Sequence, residues 1–301
     1  MRKIPFKEVF TLQIHLSPAV RRLYRIRYGF DTYGEIFLLC IDRIVEKIRG
    51  KRSRFYEHSR AARLMKSDSE AYHIKDAKLP MLKGENFYSI IRYVLDDIFA
   101  SYILFDDRYD EEIVDICDAA LPEGLYGLVN DKVNVTVEAC DIVIDAGSWI
   151  GDFAAYASVK GATTYAFEPS ANIFSVLEKT AALNTNIIPV KKALGCDDST
   201  NAKPKVFCAL EDESFDIISL DDFVKDNNLP RVDFIKADIE GFERYMLAGA
   251  QETLARFAPK LALCTYHLHD DPQVMAELIL KANPKYNIVQ KSKKLYASVP
   301  E

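Results

Sequence analysis

The chain has 301 residues, 49% of them hydrophobic, and a formal net charge of −6, enough to bury a sizeable core in one large domain or two smaller ones. No apolar run approaches the roughly 18 residues of a membrane span; the longest, at 36–41, has the length of a helix core. Six cysteines are scattered without a Cys-x-x-Cys pair, which argues against a zinc or redox motif and suits reduced thiols in a cytoplasmic protein.

The charge is unevenly spread. Residues 1–66 carry 16 Lys and Arg against 6 Asp and Glu, whereas the rest carries 23 against 39. A split of this kind predicts an N-terminal unit with a surface role of its own. The first residues, Met1-Arg2-Lys3-Ile4-Pro5, lack the apolar stretch of a signal peptide. Ser17-Pro18 is a helix-start pair. After a break at Gly29, Ile36, Phe37, Cys40, Ile41, Ile44, Val45 and Ile48 fall at helical spacing, and Gly50 ends the segment. A basic stretch follows through Arg52, Arg54, Arg60, Arg63 and Lys66. Residues 67–86 are polar, with Leu79-Pro80 and Gly84, and read as a connecting loop. Apolar positions from Phe87 to Tyr102 predict an amphipathic helix, and 111–116 a short one. Residues 1–118 are therefore expected to be an N-terminal helical region, and 119–301 a second domain.

In that second part strands and helices alternate. Val133, Val135 and Val137 predict a half-exposed strand. Ile142 to Asp145 predict a buried one, followed by a glycine turn at 147–151 and a helix through Phe153, Tyr156 and Val159. A second buried strand, 164–167, ends in Glu168-Pro169, and a helix runs from Ser170 to about Leu183. Ile187 to Val190 form a third strand, placed at a sheet edge by Pro189. Short strands are expected at 206–210 and 217–218, and a small helix at 219–224. Strands at 232–236 and 261–264 bracket one helix over 241–257; a helix over 272–282 precedes closing strands at 286–290 and 294–299. Such alternation gives an α/β fold, a mostly parallel sheet with helices on both faces.

In open α/β sheets the ligand sits beyond the carboxyl ends of the strands. Asp145, Gly147, Ser148, Trp149 and Gly151 occupy the first such end, and the glycines are expected to let the backbone approach a ligand. Glu168, at the end of the second strand, is placed to accept two ribose hydroxyls. The turn lacks the Gly-x-Gly-x-x-Gly that admits a pyrophosphate. An adenosine ligand without phosphates fits better, and S-adenosylmethionine is the common one. Asp238, Glu240 and Glu243 follow the fourth strand and His267 the fifth. If those strands neighbour the first, the acids and the histidine share one rim. The bland reading is that the acids only complement the positive end of a helix.

The order and spacing of Val143-Ile144-Asp145-Ala146-Gly147-Ser148-Trp149-Ile150-Gly151-Asp152, Ala166-Phe167-Glu168-Pro169, Ala193-Leu194-Gly195, Ser219-Leu220-Asp221-Asp222-Phe223, Asp238-Ile239-Glu240-Gly241-Phe242-Glu243 and Tyr266-His267 resemble the FkbM-type family of S-adenosylmethionine-dependent methyltransferases. The resemblance covers residues of about 125–300 and implies a class I methyltransferase, Rossmann-like sheet and O-methylation of sugar or natural-product hydroxyls. The family has Ala-Asn where this chain has Ser148-Trp149, so Trp149 is expected to reshape the methionine end of the pocket. His267 is the first choice of general base, because imidazole titrates near neutrality, with Asp238 or Glu240 to orient it. Asp145 and the 147–151 turn are assigned to the methionine part, and Asp238 to the cofactor side as well as the rim. A divalent cation held by Asp238, Glu240 and His267 is an alternative that nothing in the spacing forces, and no metal is assigned.

Two other classes of function stay open: a methyltransferase-like scaffold without catalysis, and a nucleic-acid methyltransferase. The rim of acids and histidine speaks against the first. The acidic second domain and the lack of an Asn-Pro-Pro-Tyr-like motif speak against the second. The basic N-terminal residues are expected either to pack on the acidic domain or to meet an anionic partner. A lipid-linked glycan at the inner face of the membrane would suit the latter.

Overall fold

A computed structural model of the chain describes residues 65–74, 76–80, 126–196, 216–291 and 293–300. The expected helices of residues 1–118, the basic N-terminal stretch and the short strand at 206–210 lie outside the described residues.

The described chain opens with β1 (Met65–Ser67), β2 (Ala71–Ile74) and β3 (Ala77–Pro80), an antiparallel meander in the order β1-β2-β3. This corrects the reading of 67–86 as a connecting loop over 67–80; residues 81–86 lie outside the described residues. Asp68 makes the first turn: its Oδ1 accepts from the backbone N–H groups of Glu70 and Ala71 at 2.8 and 2.9 Å. Ala71, Ala77 and Leu79 are buried, so apolar residues alternate with polar ones along β3 and give it a core face. The expected boundary at 118/119 is also crossed. Ala77 and Leu79 join the same core cluster as Phe153 and Leu177, and Asn184 holds Lys78 at both its N–H and its carbonyl.

A two-residue ladder joins β4 (Leu128–Val129) to β5 (Asn134–Val135). Val133, Val135 and Val137 are buried, as their alternation predicts. There follow β6 (Ile142–Ala146), α1 (Asp152–Val159), β7 (Thr163–Phe167), α2 (Ala171–Leu183), β8 (Ile187–Val190), β9 (Ala193–Leu194), β10 (Ile217–Ile218), α3 (Leu220–Asp226), β11 (Phe234–Ala237), α4 (Glu243–Ala248), α5 (Gln251–Phe257), β12 (Lys260–Cys264), α6 (Asp271–Ala282), β13 (Asn287–Lys291) and β14 (Lys294–Ser298). The expected single helix over 241–257 is two, broken at Gly249 and Ala250. A Cβ at Gly249 would stand 2.1 Å from the carbonyl oxygen of Gly195, so the chain turns where it must pass another backbone.

The main sheet has seven strands in the order β13-β14-β12-β11-β6-β7-β8. All run parallel except β14, which is antiparallel to both neighbours. Counted along the chain, its strands lie in the order 3-2-1-4-5-7-6 with the seventh reversed. β8 is an edge strand, which explains how it tolerates Pro189. Adjacent strand residues face opposite cores. Val143, Phe234, Ala262 and Tyr296 pack with α1, α2 and β3, while Ile144, Ile235, Leu261 and Leu295 pack with helices α3 to α6. Both faces are covered, so the parallel strands read as continuous apolar runs.

The strand order reverses between β6 and β11. The chain leaves β6 toward α1 on one face and β11 toward α4 on the other. That switch point opens a crevice beyond Ala146 and Ala237.

Candidate active site

The crevice has two walls. The first is the turn between β6 and α1. Gly147, Trp149 and Gly151 have positive φ, at 73°, 49° and 83°. The N–H groups of Gly147 and Ser148 donate to the Phe167 carbonyl at 3.1 and 2.9 Å, which ties the turn to the end of β7. The glycines answer to close neighbouring protein. A Cβ on Gly147 would lie 2.0 Å from the carbonyl oxygen of Asp238, and one on Gly151 would lie 2.7 Å from Leu177 Cδ1. One glycine lets the two walls touch, and the other lets α2 pack against the start of α1.

Asp145 and Ser148 lie beneath this turn. Both are fully buried and do not line the crevice. Ser148 Oγ donates to the Asp145 carbonyl at 2.8 Å. Asp145 Oδ1 pairs with Lys236 Nζ at 2.9 Å, and the same ammonium donates to the Gly147 carbonyl at 2.6 Å. Burial disfavours the Lys236 charge, but Asp145, Asp238 and Asp152 outweigh it and hold the ammonium above the ordinary lysine range. Lys236, a β11 residue that the motif reading passed over, thus neutralises the acid that motif reading emphasised.

Glu168 ends β7 beside this turn. Its Oε1 accepts from Ser170 N–H at 3.0 Å and its Oε2 from Trp149 N–H at 3.2 Å. A carboxylate has about four lone-pair positions, so each oxygen keeps capacity for one more donor. Burial raises its pKa to about 7 against the lowering influence of those two N–H groups and of Lys236.

The second wall is built from the ends of β11 and β12. The His267 imidazole, its side chain only 8% exposed, has carboxylates at both nitrogens. Nδ1 lies 3.2 Å from Glu243 Oε1. Nε2 lies 3.3 Å from Glu240 Oε2 and 3.6 Å from Asp238 Oδ1. The sequence expectation had Asp238 or Glu240 orienting the ring; the structure gives that position to Glu243. This fully buried acid also accepts from the N–H groups of Ile239 and Gly241, both at 2.9 Å. It therefore closes the 239–241 loop and fixes the histidine at once. Burial opposes a charge on His267, but Glu243, Asp238 and Glu240 prevail and raise its pKa above the usual value.

Asp238 is held from two sides. Tyr126 Oη donates to its Oδ2 at 2.9 Å, and Tyr266 Oη to its Oδ1 at 3.1 Å. Burial pushes its pKa up, yet Lys236, the Tyr126 hydroxyl, His267 and Lys294 bring it below the ordinary carboxylate value. The Tyr126 ring has the Lys236 and Lys294 ammonium groups 5.3 and 4.4 Å from its centroid. Glu240 has φ of 56°, a conformation that costs an L-residue roughly 1–2 kcal/mol and accompanies its approach to His267. Finally, Arg244 on α4 binds Asp271 through Nε and Nη2 at 3.0 and 2.6 Å. Asp271 in turn accepts from Leu268 N–H at 2.9 Å. These contacts clamp the loop that carries His267 onto α4. Tyr126, Lys236, Arg244 and Asp271 come from four separate stretches, and only the pairing of β11 with β6 and β12 brings them together.

Residues 137–286 match the methyltransferase FkbM domain model. A stretch of 155 residues is 28% identical to a hexuronic acid methyltransferase, AglP, of Haloferax volcanii, covering 48% of this chain and 64% of that protein. The chain thus spans somewhat less than two thirds of this curated relative. Among solved structures, methyltransferase FkbM of Methylobacillus flagellatus aligns at a TM-score of 0.45 and 20% identity, over 72% of this chain and 56% of its own. A fibrillarin of Aeropyrum pernix aligns at 0.37 and 12%, over 56% and 70%.

Proposed function

We propose, from the match of residues 137–286 to the methyltransferase FkbM domain, that this chain is an S-adenosylmethionine-dependent methyltransferase that methylates a hydroxyl oxygen of a sugar or glycan acceptor. The observation that carries this reading is the environment of His267: one buried imidazole, Glu243 behind it and Asp238 and Glu240 in front of it, at the crevice where the sheet reverses.

The residues fit the cofactor. Glu168 keeps one acceptor position on each oxygen, and its raised pKa marks a buried carboxylate that gains from further hydrogen-bond donors. In this reading Glu168 holds the two ribose hydroxyls, and Trp149 with the 147–151 turn borders the methionine part. Asp145 and Lys236 shape that turn from below without touching the ligand. When bound, S-adenosylmethionine supplies an electrophilic methyl group on a sulfonium, which needs alignment with a nucleophile more than it needs activation.

The chain's own work is then on the acceptor side. With Glu243 at Nδ1, Nε2 is the atom that takes the acceptor's proton when the ring is neutral. Asp238 and Glu240 accept hydrogen bonds from neighbouring hydroxyls, the recognition a polyhydroxylated acceptor requires. The curated relative, described as a hexuronic acid methyltransferase, supports a sugar acceptor.

Methyl-labelled S-adenosylmethionine incubated with separate saccharide, lipid-linked, small-molecule and RNA fractions tests the proposal. Label is expected in saccharide, as an alkali-stable ether. Label confined to RNA, or released by mild alkali as an ester would be, contradicts the proposed acceptor.

A further inference from the structure

We propose that Asp238, Glu240 and His267 form a binding site for one divalent cation of the Mn²⁺ or Mg²⁺ class. One potential ligand atom from each of Asp238, Glu240 and His267 lies within 4.8 Å of the other two. Two of the separations, 3.3 Å from Nε2 to Glu240 and 3.6 Å from Nε2 to Asp238, are near the edge of about 3 Å spanned by adjacent ligands of a cation bonded at about 2.1 Å.

Three further observations point the same way. The His267 side chain is more than nine-tenths buried, and among the described residues neither ring nitrogen has a hydrogen-bond partner, although carboxylates stand beside both. Two carboxylates stand beside Nε2 without satisfying it. The opposite nitrogen has the Glu243 carboxylate at 3.2 Å, close to the carboxylate-behind-histidine placement that orients a metal-bound imidazole. The charge also fits. Three acids surround one imidazole, with the Lys236 and Lys294 ammonium groups acting on Asp238, and a dication would add to that compensation. Two carboxylates with one imidazole form a hard, mixed donor set, which accommodates Mn²⁺ better than soft-ligand metals.

This inference rests on the reading of the rim as the acceptor-activating site and changes one thing in it. Nε2 becomes a ligand, and the cation acidifies a bound acceptor hydroxyl, whose proton passes to solvent.

The test is Mn²⁺ titration of the EDTA-stripped full chain, followed by electron paramagnetic resonance. One ion per chain is expected, with the hyperfine coupling of an imidazole nitrogen. Glu240→Gln and Asp238→Asn should each weaken binding at least tenfold, and Glu243→Gln about 10- to 100-fold through the orientation of the ring, with circular dichroism confirming the fold. If a variant does not fold, the nitrogen coupling of the wild-type protein still decides. No Mn²⁺ binding, or bound Mn²⁺ without nitrogen coupling, overturns the proposal. S-adenosylmethionine binding to the stripped protein is measured in parallel. It reports on the methyltransferase reading independently of the cation.

Discussion

The two walls of the crevice are held in different ways. The 147–151 turn is fixed by backbone: its first two N–H groups are spent on Phe167, its glycines answer to steric contact, and its acid is neutralised by Lys236. The 238–243 loop with His267 is fixed by charge: Glu243 closes the loop and backs the histidine, and two tyrosine hydroxyls hold Asp238. A wall built of backbone keeps its shape as pH changes, whereas a wall built of four ionisable side chains is tuned by protons or cations. The first suits holding a cofactor and the second suits handling an acceptor's proton. They meet where Gly147 passes the carbonyl of Asp238.

The most damaging way to break this division is at that meeting point. Gly147→Ala puts a Cβ 2.0 Å from a backbone oxygen at a φ of 73°, so backbone on one wall has to move. A loss of about 3 kcal/mol or more is expected, with both cofactor binding and turnover impaired, and urea denaturation measures it. A destabilisation below about 1 kcal/mol would mean that the walls are not coupled there. The next largest effect belongs to one wall. His267→Ala should lower turnover by about 10²- to 10⁴-fold, read under saturating cofactor in single-turnover kinetics.

The smallest effect sharpens the contrast, because Glu168 on the backbone wall has a pKa brought near neutrality. Its folded pKa of about 7 lies above the ordinary 4.5, so the folded chain holds this proton more tightly than the unfolded chain. The resulting stability is complete below about pH 4.5 and is lost as pH rises through about 7, a change of about 3 kcal/mol at most. In cofactor-free protein, Glu168→Gln should flatten that part of the pH dependence in urea titrations at pH 5 and pH 8. Equal pH dependence in the two proteins would show that Glu168 is ionised throughout.

The sheet was legible because buried parallel strands are continuous apolar runs bounded by glycine, proline and acids. Pro189 even places β8 at the edge. The β1–β3 meander was not legible, since among the described residues its apolar face is short and comes to matter where Ala77, Leu79 and Tyr72 pack in the cluster with α1 and α2. In the site, Glu168, Asp238, Glu240 and His267 stood out because each follows a strand. The full burial of Asp145 and Ser148 was not legible, because a strand-end position does not reveal whether a side chain faces the crevice or the interior. Lys236 was hidden inside an apolar strand, and Glu243 behind the histidine is apparent only once β11 and β12 pair.

Calorimetric titration of S-adenosylmethionine into the wild type, Glu168→Gln and His267→Ala tests the division of labour most directly. The wild type should bind one equivalent. Glu168→Gln should bind at least tenfold more weakly, because charge-assisted hydrogen bonds contribute about 1.5–3 kcal/mol each, and His267→Ala should stay within about twofold of the wild type. Unchanged affinity in Glu168→Gln together with lost affinity in His267→Ala would reverse the assignment of the two walls and contradict the account.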